Sequence, residues 1–227
     1  MKTLLVLLLL SLAGMVLLAA QRPSDPAPVP VEQEPHHHVV LKNDSIIVLR
    51  VTLPEGERTL YHIHSRDRVS IELSNATISQ QNLNEPEGES GPTKPGEISA
   101  PTARANPLIH RIHNFGPGTF EVLDVEFFQR PAQPSTEITA PVVAENPSAR
   151  VYSWALAPGA SSAMHTHTGP YLIVAITKMP LKMTAPDGQF ASHEVQAGDF
   201  HWVDAKVRHS LTNEGATSGQ IIEIELK

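Results

Sequence analysis

The sequence contains no cysteine. Disulfides, thiolate ligands and lipid attachment through a thiol are therefore excluded, and outside the cytosol the chain must hold together by core burial. Any metal site has to be built from His, Asp or Glu. Basic charge is also short: 17 Lys and Arg stand against 24 Asp and Glu, a formal net charge of -7. Nucleic acid needs a basic face to neutralise its phosphates, so that partner is excluded. Long apolar runs are missing except at the start, where Leu4–Leu18 is almost purely apolar and shorter than the ~20 residues of a spanning helix. No glycine-rich phosphate loop and no defensible Ser-His-Asp order is present.

What is present begins with MKT, the apolar run, and small residues at Ala19 and Ala20. That order describes a secretory signal peptide over residues 1–20, giving a periplasmic or secreted protein with no membrane span after cleavage. Residues 21–37 are rich in Pro and Glu without hydrophobic period and read as a flexible stalk. The run His36-His37-His38 falls at its edge, as a polar stretch. From residue 38 the pattern is β-branched and alternating, as in VVLKNDSIIVLRVTL, which is strand composition. A proline-rich linker over 131–148 separates residues 38–130 from residues 149–227, which are again full of strand and turn signals.

The two halves repeat each other. LPEGERTLYHIH matches APGASSAMHTH, so that Gly56, His62 and His64 stand 103 positions before Gly159, His165 and His167. Further on the offset is 99, pairing His110 with His209, Asn114 with Asn213 and Glu126 with Glu225. Residues i and i+2 of a strand share a face, so His165 and His167 can both point into a barrel, with His209 arriving from a distant strand. The same holds for His62, His64 and His110. Neutral imidazoles suit a divalent transition metal such as Fe, Zn, Mn, Cu or Ni, and three of them leave positions open for water or substrate. The plain alternative is a set of inward-facing packed histidines.

These spacings, Gly-x5-His-x-His followed much later by His-x3-Asn, resemble the two motifs of the cupin superfamily, and the chain resembles a bicupin over nearly all of its length after residue 37. The resemblance implies an all-β protein of two tandem jelly-roll barrels. Asp204, Ala205 and Lys206 replace the family's Pro-x-Gly before His209. A larger departure lies at the glutamate that normally follows the histidine pair by three or four residues. Tyr171 stands there in the second half and Arg68 in the first, with Asp67 one residue earlier.

Strand phase links Asp67 with Val69, Ile71 and Leu73, and Arg68 with Ser70 and Glu72. If the apolar set faces the barrel interior, Asp67 is a candidate fourth ligand; otherwise it is a loop aspartate. With three imidazoles alone, the dication charge is uncompensated and favours an anionic ligand. Tyr171 either donates a hydrogen bond to that ligand or is a core aromatic, and His201 either points inward near His209 or packs. The expectation is an exported bicupin with three-histidine metal sites, monomeric or homodimeric, acting as a dioxygenase, isomerase or hydrolytic enzyme on a small anionic molecule. The alternative is a non-catalytic module that binds or senses a small molecule.

Overall fold

In the computed structural model, residues 26–128, 137–204 and 206–227 are described. The signal peptide expected over residues 1–20 lies outside them. No helix among the described residues is long and apolar enough to cross a membrane.

The first half contributes β1 (Val29–Pro30), β2 (His37–Lys42), β3 (Ile46–Leu53), β4 (His62–His64), β5 (Arg68–Glu72), β6 (Thr77–Asn82), β7 (Gly91–Pro92), β8 (Ile98–Ser99), β9 (Leu108–Asn114) and β10 (Phe120–Phe127). The second contributes β11 (Val142–Glu145), β12 (Ala149–Leu156), β13 (His165–Thr166), β14 (Tyr171–Ala175), β15 (Met179–Thr184), β16 (Phe190–Val195), β17 (Phe200–Val203), β18 (Arg208–Asn213) and β19 (Gly219–Leu226). One sheet of each half has the order β2-β3-β10-β5-β8 or β11-β12-β19-β14-β17. The facing sheets are β4-β9-β6-β7 and β13-β18-β15-β16, with β1 added outside β4. The two halves thus share one topology, a pair of jelly-roll barrels in tandem, as the repeat implies.

The motif residues outside the histidine set serve the turns. Gly56 and Gly159 take φ of 80° and 71°, which lets the backbone reverse ahead of each histidine pair without a Cβ clash. Asn114 donates from Nδ2 to the carbonyls of Leu53 and Gly118 and accepts from Gly116 N–H. Asn213 does the same with Leu156, Thr217 and Gly215.

The main core lies between the barrels. Val69, Ile71, Leu123, Val125 and Phe127 of the first half join Val151, Leu172, Val174, Ile222, Ile224 and Leu226 of the second in one buried cluster. The five-stranded sheets are therefore covered on both faces, and β10 and β19 are buried along nearly their whole length. This corrects the strand-phase argument. The apolar residues of β5 face the other half, so their partners in phase, Asp67 included, do not face the barrel interior; Arg68, Ser70 and Glu72 do.

Two boundaries also shift. The expected stalk over 21–37 is folded from at least Val29: β1 pairs in parallel with β4 at His62 and Ile63, and Val31, Glu34 and His37 are buried. The expected linker over 131–148 includes β11, which pairs with β12, while Asn146 and Ser148 are buried. Proline content hid short strands whose apolar residues are too few to show a period.

Candidate metal centres

In the second half, β13 and β18 pair His165 directly opposite His209, and His167 follows on the same face. Their rings cluster with centroids 4.4 to 5.3 Å apart. Across the barrel, β19 runs Ile222-Glu223-Ile224-Glu225-Leu226, and its alternation sends the Ile and Leu side chains to the shared core and both glutamates inward. Glu223 lies with its oxygens 3.2 Å from His165 Nε2, 3.4 Å from His167 Nε2 and 3.1 Å from His209 Nε2. One donor atom from each of the four lies within 4.8 Å of the others, and all four residues are buried.

This set fits a metal ion. The Nε2 atoms of the three histidines and Oε1 of Glu223 are buried and make no hydrogen bond among the described residues, despite their closeness. Lone pairs that converge without hydrogen bonding are what a cation satisfies; left alone, such buried groups are destabilising. Two outer atoms are fixed in turn: His165 Nδ1 is 2.9 Å from Ala163 O, and Trp154 Nε1 donates to Glu223 Oε2 at 2.6 Å. His167 Nδ1, 3.7 Å from Glu225, and His209 Nδ1 make no hydrogen bond among the described residues. Burial alone would raise the Glu223 carboxyl, but contacts with His165, His167 and His209 outweigh it and hold the group well below the carboxylate range. Burial lowers His209. It opposes His167 too, where Glu223 and Glu225 prevail and raise the imidazole.

The carboxylate missing from the first motif is therefore supplied by another strand. Tyr171 occupies its usual position, fully buried, stacked on His167 with centroids 3.7 Å apart. Trp154 stacks on His165 at 4.8 Å. His201 is exposed and does not join His209; it lines an open cavity of about 600 Å³ with Arg50, Ile173, Leu181 and Met183. Ile173 and Leu181 also belong to the apolar cluster around Tyr171 and Trp154, so the cavity backs onto the packing that surrounds the imidazoles.

In the first half, His62 sits opposite His110 across β4 and β9. His62 and His64 group with a histidine not expected at the site, His37, their donor atoms within 4.8 Å of one another. His110 completes the ring cluster, 4.5 Å from His62 and 5.1 Å from His64. His37 comes from β2, where the fold of the preceding segment brings it beside His62 at 4.4 Å. It packs beside His62 as Trp154 packs beside His165 in the other half. The outer contacts repeat: His62 Nδ1 meets Leu60 O and His64 Nδ1 meets Glu126, at 2.9 and 2.8 Å, while His37 Nδ1 meets Glu34. Each leaves Nε2 free to face inward, as metal-bound histidines are usually oriented. Burial, then repulsion from neighbouring His37 and His64, lowers His62 to about 3. Burial, then Arg68, lowers His64 to about 3, and His110 is lowered further, chiefly by burial. At neutral pH these imidazoles are uncharged and their lone pairs are available.

Asp67 is not in this group. Its Oδ2 accepts from Arg104 Nε at 3.1 Å and Ser148 Oγ at 2.7 Å, tying the barrel wall to the segment entering the second half. Two signals for the residues missed were in the sequence: the E-I-E alternation of β19, and a histidine run leading into a β-branched strand.

No family model matches the chain. Over 86 residues it is 31% identical to the beta-alanine degradation protein BauB of Pseudomonas aeruginosa, a match covering 38% of this chain and 90% of that protein. Among solved structures, AerE from Microcystis aeruginosa superposes with a TM-score of 0.60 at 13% identity, covering 89% of this chain and 98% of AerE. A cupin 2 conserved barrel domain protein from Leptotrichia buccalis gives 0.54 at 13% identity, over 84% and 88% of the two chains. Oxalate decarboxylase of Bacillus subtilis, a protein with Mn(II) centres, gives 0.51 at 15% identity, over 83% and 74%. The chain belongs to the family of BauB, and its fold is that of the cupins, two barrels in tandem.

Proposed function

We propose that the second half is a metalloenzyme centre acting on a small carboxylate, with His165, His167, His209 and Glu223 holding a divalent transition metal. The observation that carries this reading is the convergence of three Nε2 atoms on one buried carboxylate without a hydrogen bond. These four donors would hold the ion, which would supply Lewis acidity to a bound substrate. Glu223 offsets one of its two charges, so a mono-anionic oxygen ligand completes the balance. The Tyr171 hydroxyl is buried and makes no hydrogen bond, and burial, then the nearby Glu223, raises it. It stays protonated and serves as a donor to that ligand. Trp154 keeps Glu223 in place. The similarity to a protein named for beta-alanine degradation supports a small carboxylate as the substrate class.

The metal is Fe or Mn in this reading, since an oxygen-containing donor set beside imidazoles suits them. Export, with cleavage after Ala20, rests on the composition of residues 1–20. The face-to-face packing of the two five-stranded sheets already does what packing of two copies would do, so the working unit is a monomer.

The test is metal analysis of protein purified without chelator or nickel resin. Wild type should carry near-stoichiometric metal in the second half, and Glu223→Ala or His165→Ala/His167→Ala should lose it. Equal metal in wild type and both variants would sink the assignment. Oxygen uptake and product analysis over a panel of small carboxylates then separate an enzyme from a binding module. Periplasmic fractionation, followed by mass measurement of the mature N-terminus, tests export.

A further inference from the structure

The first-half barrel differs from the second in what it presents beside its imidazoles. Arg68 stands at the position where the family places a carboxylate, and it points inward from β5 with 7% of its surface exposed. One edge of its guanidinium is engaged: Nε donates to Ser70 Oγ at 3.2 Å and lies 3.9 Å from Asp124 Oδ1, while Ser70 itself donates to Asp124. The other edge is free. Arg68 Nη1 is buried and makes no hydrogen bond among the described residues, and the same is true of both His110 ring nitrogens. These atoms belong to side chains lining a cavity of about 120 Å³, together with His62, His64 and Glu72. That is room for roughly four water molecules at ~30 Å³ each.

We propose that this cavity is a binding site for a monoanionic carboxylate of one or two carbons, taken by Arg68 and turned toward His62, His64 and His110. A buried guanidinium N–H without an acceptor is destabilising, and a planar carboxylate is the acceptor its geometry suits. Asp124 in the same wall disfavours a dianion such as phosphate, whereas Glu72, raised to about 8 chiefly by burial, is neutral there. The volume admits formate or acetate and excludes a four-carbon chain. The Arg68 contact stands without a metal. The contact on the imidazole side rests on reading that group as a metal site, as in the second half.

The experiment is calorimetry on the full chain with formate, acetate, butanoate and inorganic phosphate, in metal-depleted and Mn(II)-loaded forms, with line widths of 13C-acetate recorded alongside. Formate and acetate should bind, and Arg68→Met should weaken them about tenfold or more, the range for a charge-assisted hydrogen bond. Arg68→Lys keeps the charge without the planar fork and should fall between. It decides the matter if Arg68→Met does not fold. Affinity unchanged in the folded variants, or phosphate binding more tightly than acetate through Arg68, overturns the proposal. If the Arg68 dependence holds but Mn(II) alters neither affinity nor line width, the carboxylate site stands and the first-half metal reading falls.

Discussion

The two halves share a topology and a histidine triad, yet they surround it with opposite chemistry. In the second half the donors are three imidazoles and Glu223, enclosed by Trp154 and Tyr171 and backed by an apolar cavity. In the first, His37 packs beside His62 as Trp154 does beside His165, Arg68 stands where Tyr171 does and Asp124 where Glu223 does, around a space of about 120 Å³. The duplicated frame fixes where imidazoles go. The non-matching positions decide charge, and with it what each barrel admits. An ion held in the second half would keep a single excess charge. One held by the neutral first-half imidazoles would keep both charges beside a guanidinium.

The largest break in this comparison is expected from Glu223→Ala. Removing the only carboxylate in the donor group leaves three imidazoles, so second-half metal affinity should fall by more than about a hundredfold, in line with several kcal/mol lost with one charged ligand. First-half metal should be unchanged, and competition with a chelator read by metal analysis checks both. Trp154→Phe keeps the stacking surface but removes the Nε1 donor to Glu223. Losing the group that orients a metal ligand weakens binding by about 10- to 100-fold. The same variant should not alter the first half, where Val51 stands at the matching place and carries no donor.

How much of this contrast the sequence reveals depends on which interaction sets each element. The repeat and six of the seven histidines around the two triads are legible in the motif spacing, because i, i+2 alternation and turn glycines are local physics, while the jelly-roll halves follow from the resemblance to the cupins. His37 was legible only as part of a polar run, since its place at the site depends on β1 pairing in parallel with β4, a contact with no local signature. Of the two readings of Asp67, the ligand one needs the apolar face of β5 to be the barrel interior, and that face meets the other half instead. A sheet buried on both faces makes that inference ambiguous: the apolar side can face another sheet while the barrel side carries Arg68, Ser70 and Glu72. Glu223 was hidden by attention to the family's motif position, although the strand alternation already placed it inward.

Acid should separate His62 and His64 from His167 by the sign of their shifts. His62 and His64 have folded values near 3, below the unfolded value of about 6.5, so the unfolded chain takes up protons first as pH falls. Their neutral burial therefore contributes full stability above about pH 6.5, and that contribution is lost progressively between about 6.5 and 3. His167 is shifted the other way, and its contribution is lost as pH rises. For metal-free protein, urea midpoints should drop between pH 7.5 and 5. A His62→Asn/His64→Gln variant should show a shallower drop, whereas His167→Gln should steepen it. Equal slopes in all three proteins would contradict the assignment.

The smallest effect expected is at Tyr171, and its sign is informative. The hydroxyl is buried without a hydrogen bond, while the ring stacks on His167. Tyr171→Phe keeps the stacking and removes an unsatisfied group, so the metal-free protein should be stabilised by about 1 kcal/mol. Metal content should not change. Affinity for the anionic ligand should fall by about tenfold if the hydroxyl is kept for it, because one hydrogen bond to a charged group is lost. The matching change in the first half, Arg68→Met, removes a charge that faces Asp124, so it should not reproduce that stabilisation. A variant at Tyr171 that is more stable and binds equally well would reduce the tyrosine to a packing residue, and would leave Glu223 alone to define what the second barrel does.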